Sequence, residues 1–168
     1  QNKPHNICEI GKERIRLCAA KIREEFGEKT NNIDFGFRNF YVSKSNFKDV
    51  YYLPDQISPE LFKNCISNIL EDRTELDLLF QTMLDLGIPL SSKIEIKNIN
   101  TKKVFFVQED YLIACFDTDV DESIITEIAK QKPYFCVIQD CTMANDSVMA
   151  NFEQVFNSYS RETIIKIM

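Results

Sequence analysis

The chain has 168 residues, 44% of them hydrophobic and 27% charged, with a formal net charge of −6. That length fits one domain, or one domain with a piece of another, and it buries a sizeable core. No apolar run approaches the roughly 18 residues of a membrane-spanning helix, no secretory leader is visible, and the acidic balance argues against a self-sufficient nucleic-acid binder. The chain opens at Gln1 without an initiator Met, and we expect it to be processed or excised from something longer.

Residues 7–26 read as a helix. Ile7, Gly11, Ile15, Cys18, Ile22 and Phe26 recur every three or four positions, which lays them on one stripe, and Gly27 stops the helix. Lys12, Arg16 and Arg23 form a basic stripe beside the apolar one. Such a stripe is either a solvated face paired with Glu9 and Glu13 or a phosphate contact. Residues 35–42 (FGFRNFYV) read as an aromatic, partly alternating strand. A helix and a strand do not make a domain, so this stretch resembles the tail of a domain whose body lies upstream.

Residues 43–56 are polar and read as a linker or crossing loop. Ser58 then caps a helix with Pro59 at its first position, and Leu61, Phe62, Cys65, Ile66, Ile69 and Leu70 supply its buried face. Residues 74–86 carry the clearest helix signals. Thr74 and Asp77 make a capping box, Gly87 supplies a left-handed end and Pro89 prevents continuation. Leu76, Leu79, Phe80, Met83 and Leu84 line one face, while Leu78 and Leu86 widen it beyond the needs of a surface helix. The excess is either buried or an assembly surface.

Residues 94–96, 103–107 and 111–116 read as strands, the last two joined by the Glu109-Asp110 turn into an antiparallel hairpin. A helix at 121–130, a strand at 134–139, a helix at 146–159 and a strand at 163–167 follow. The fold class expected is therefore α/β: a small mixed sheet with a C-terminal βαβαβ unit flanked by helices.

Chemistry is sparse. The single histidine, His5, lies near the terminus, so a Ser-His-Asp or Cys-His arrangement has nothing to build on. The glycines, Gly11, Gly27, Gly36 and Gly87, are too far apart for a phosphate-binding loop. The best active-site candidate is the acidic run 117–122, with Asp117 and Asp119 just past one strand end and Asp140 past its neighbour. Open parallel sheets bind ligands at that edge, and carboxylates there suit Mg²⁺ and phosphoryl transfer. The spacing resembles the DxDx(T/V) motif of haloacid-dehalogenase-like phosphatases, but Asp121 stands where Thr or Val belongs. The plainer alternative is that Asp121 caps the following helix. Cys8, Cys18, Cys65, Cys115, Cys136 and Cys141 form no CxxC and read as buried free thiols in a reducing cytosol.

Four stretches carry a resemblance: ICEIGKERIR at 7–16, DFGFR…SNFKDVYY at 34–52, EDRTELDLLFQTMLDLGIPLSSKIE at 71–95, and YLIACFDTDV…ITEIAKQKPYFCVIQDCTMANDSVMANFEQVFNSYS between 111 and 160. Together they resemble the C-terminal part of the modification (Mod) subunit of type III restriction–modification systems, which are adenine-N6 DNA methyltransferases. The resemblance implies that residues 1–50 are the last helix and strand of a methyltransferase domain and residues 51–168 a separate C-terminal α/β accessory domain. It implies S-adenosylmethionine as cofactor of the parent protein, with DNA, a second Mod subunit and the Res restriction subunit as partners, and a cytoplasmic location. The family's Asp-Pro-Pro-Tyr and glycine-containing cofactor motifs are not in this sequence, so no catalytic, cofactor or metal residue carries over. What remains is a role in Mod dimerisation or Res contact, with Leu78 and Leu86 as the candidate surface. The alternatives are DNA-backbone contact through Lys12, Arg16 and Arg23, or a Mg²⁺-dependent enzyme built on Asp117, Asp119 and Asp140.

Overall fold

The computed structural model describes residues 6–48, 68–117, 120–139 and 146–168, with side chains of the last stretch from 151 onward. His5, Asp119 and Asp140 lie outside the described residues, as does the expected helix at 58–67. The chain divides into two units, Gln1–Val42 and Ser43–Met168.

In the first unit α1 spans Ile7–Phe26. Asn6 caps it by accepting the Glu9 N–H at 2.9 Å, and Glu9 and Arg23 sit at the ends whose partial charges they oppose. Gly27 ends it at φ +51°, its N–H donating to the Arg23 carbonyl. A 3-10 turn, Gly27–Thr30, follows, closed by the Thr30 hydroxyl on the Gly27 carbonyl at 2.7 Å. The expected strand at 35–42 is not formed: these residues join no ladder among the described residues. An alternating aromatic pattern specifies an extended chain, but only a second edge makes a strand of it.

The second unit is a mixed α/β domain with a five-stranded sheet in the order β1-β2-β3-β4-β5. The strands are β1 Ile94–Ile99, β2 Lys102–Val107, β3 Leu112–Cys115, β4 Phe135–Ile138 and β5 Ile164–Ile167. β1, β2 and β3 are antiparallel neighbours, while β3, β4 and β5 run parallel. α2 spans Glu75–Asp85, α3 Glu122–Lys130 and α4 Asp146–Tyr159. The succession β3-α3-β4-α4-β5 is the expected βαβαβ unit.

Side-chain alternation sorts the core into two layers. Val104 and Phe106 of β2, Ile113 and Cys115 of β3, and Cys136 and Ile138 of β4 face α3 and α4, where Ile124, Ile125, Ile128, Phe152 and Phe156 meet them. The intervening Phe105, Val107, Leu112, Ala114 and Val137 face α2, through Leu78, Leu79 and Met83. Because both faces are covered, β3 reads as a continuous apolar run rather than an alternating one.

α2 is fixed at both ends. Thr74 and Asp77 form the full capping box: the Asp77 carboxylate accepts the Thr74 N–H at 2.8 Å and the Thr74 hydroxyl oxygen accepts the Asp77 N–H. At the other end Gly87 (φ +69°) turns the chain so that the Ile88 N–H reaches the Met83 carbonyl at 2.7 Å and the Gly87 N–H that of Leu84 at 3.0 Å. Residues 43–48 are docked rather than free. The Asn46 side-chain amide donates to the Asp77 carbonyl at 2.9 Å, its backbone N–H donates to the Gln81 side chain at 3.0 Å, and Phe47 bridges to Ile69. Ile69, expected at the end of a helix, is therefore in an antiparallel bridge, and the Leu70 N–H bonds the Asn46 carbonyl at 2.9 Å.

Candidate functional site

The basic stripe of α1 is engaged by the aromatic segment that follows it. Arg23 stands over the Phe35 ring at 4.8 Å, Arg16 over Phe37 at 5.9 Å and Lys12 over Tyr41 at 5.1 Å. Phe35, Phe37 and Tyr41 alternate along an extended segment, so they share one side of it. Lys12 also donates to Glu9 at 2.6 Å and to the Tyr41 hydroxyl at 2.8 Å. Lys12 holds the Glu9 carboxyl below its ordinary range, and Glu9, then Tyr41, push the Lys12 ammonium above its own. Each cation–π contact is worth about 0.5–1 kcal/mol at an exposed site.

The apolar stripe of the same helix is open. No residue of α1 is buried, and Ile7 is 83% exposed. A groove of about 520 Å³ runs along it, bounded by Gly11, Ile15, Cys18, Ile22 and Phe35, with Arg14 at its side. The sequence marks the stripe, but it gives no sign of Arg14 or of the aromatic cover over the cations. Cys8 and Cys18, expected to be buried, are both exposed, Cys18 because it lies on this stripe.

On α2 the structure rotates the expected faces. Leu78 is 4% exposed and belongs to the core, and Leu86 is half-buried against it. The outward leucines are instead Leu76 and Leu84, 44% and 62% exposed. Apolar residues recur on more than one side of this helix, so their spacing does not tell which side meets the sheet. A cleft of about 560 Å³ lies beside Thr82, Leu86, Lys166 and Met168.

At the carboxyl ends of the parallel strands, Asp117 accepts the Lys103 backbone N–H at 2.8 Å, which ties the β2–β3 hairpin. Asp121 caps α3, accepting the Ile124 N–H at 3.0 Å and the Ser123 hydroxyl at 2.7 Å. Those bonds, the Ser123 hydroxyl first, hold its carboxyl below the usual range. The hydroxyl–carboxylate pairs Thr74–Asp77 and Ser123–Asp121 are thus helix caps. Among the described residues no group of three or more His, Cys, Asp or Glu could hold a metal ion. The Cys115 and Cys136 thiols are buried, and burial pushes both above the ordinary thiol range, which leaves them little thiolate.

At the opposite end of the sheet Tyr111 and Tyr134 stack with ring centres 5.2 Å apart, and Phe135 meets both edge-on. Cross-strand aromatic pairs of this kind stabilise a sheet. No protein-family model, no curated protein and no solved structure matches the chain. Among the described residues no helix is long and apolar enough to cross a membrane.

Proposed function

We propose that this chain is a non-catalytic, C-terminal assembly part of a type III restriction–modification DNA adenine-N6 methyltransferase subunit. On this reading the unit ending at Val42 is the end of the methyltransferase domain and the unit from Ser43 onward the accessory domain. The parent protein works in the cytoplasm, binds DNA and uses S-adenosylmethionine. The accessory domain supports Mod dimerisation or contact with Res.

One observation carries the proposal beyond the resemblance: α1 is an amphipathic helix with no buried residue. Most helical stability in proteins comes from packing an apolar face, so a stripe of isoleucines in water calls for a cover. The outward Leu76 and Leu84 of α2 add a second apolar face in the other unit. The DNA-backbone alternative rests on Lys12, Arg16 and Arg23, of which Lys12 is already hydrogen-bonded to Glu9 and Tyr41. The test is light scattering of the purified chain over a concentration series, alone and mixed with Res. Self-association or a complex with Res supports the assembly role. A monomer at high concentration that leaves Res unbound removes it.

A further inference from the structure

We draw no further inference here: the strongest candidate, the apolar groove along α1 bounded by Gly11, Ile15, Cys18, Ile22 and Phe35, is an unpartnered helix face, and nothing in the structure shows what covers it.

Discussion

The guanidinium of Arg23 stands 4.8 Å from the centre of the Phe35 ring, and that pair begins a register. Arg16 with Phe37 and Lys12 with Tyr41 continue it, so the extended segment runs back along α1. The lengths agree: from residue 12 to 23 a helix rises about 16 Å, and from 35 to 41 an extended chain covers about 20 Å. Phe35→Ala with Phe37→Ala removes two of these contacts, worth about 1–2 kcal/mol together. Tryptic cleavage after Arg38, within the segment, is then expected to speed up about five-fold or more. An unchanged rate means that the rings do not hold the segment.

Gly87 and Gly11 separate conformational from packing effects. At neither would a new Cβ meet an atom within 4 Å. Gly87 has φ +69°, so Gly87→Ala is expected to destabilise by about 1–2 kcal/mol and lower Tm by several degrees, with Gly87→Asn milder. Gly11 lies inside α1, where Gly11→Ala is expected to stabilise the helix by about 0.5–1 kcal/mol. If the groove beside Gly11 is covered in a larger assembly, the same methyl weakens that assembly. Thermal melts of the chain and titration of the assembly read the two effects apart.

The α2 capping box gives a pH signature. The Thr74 hydroxyl and then its N–H hold the Asp77 carboxyl below its ordinary value. A folded pKa below the unfolded one means that the contribution is fully present above the unfolded aspartate pKa of about 3.9. It is lost as pH falls through the lower folded value. Thr74→Ala is expected to cost about 1 kcal/mol at neutral pH. Asp77→Asn is expected to flatten the acid limb of the stability curve. Denaturant melts between pH 2 and pH 7 check both; an Asp77→Asn limb as steep as the parent's contradicts the assignment.

α2 also predicts a contrast between its faces. Leu79 is fully buried, so Leu79→Ala is expected to cost about 2–5 kcal/mol. Leu84 is 62% exposed, so Leu84→Asp is expected to change the stability of the chain by less than about 0.5 kcal/mol. The proposed assembly role adds that Leu76→Asp with Leu84→Asp weakens association while leaving the melt intact. Equal association by the variant and the parent sets this face aside.

Local signals in the sequence translated well wherever the structure is decided locally. The Thr74–Asp77 box, Gly87, Asp121 as a cap and the span of α1 all rest on contacts within a few residues. The alternation of strand and helix signals from residue 111 onward correctly implies the parallel β3-α3-β4-α4-β5 unit. Failures came where a distant partner decides. Residues 35–42 have a strand's pattern but join no ladder among the described residues. Leu76 and Leu84, expected on the face of α2 that lines the core, point outward, while Leu78 takes the buried of its two expected places, and the sheet beneath the helix decides both. Cys8 and Cys18 lie among apolar neighbours in sequence, yet both are exposed, because nothing among the described residues covers that helix. The pairing of Lys12, Arg16 and Arg23 with aromatic rings needed the return path after Gly27, which composition does not encode.

The most direct test of the central claim is the polypeptide that carries this sequence in its native cell, isolated with an antibody to the chain and sized and mapped by mass spectrometry. The account predicts a product several times larger than 19.6 kDa, with an Asp-Pro-Pro-Tyr type motif upstream and labelling by photoactivated S-adenosylmethionine. A product at 19.6 kDa, or a larger one without that motif and without labelling, contradicts it.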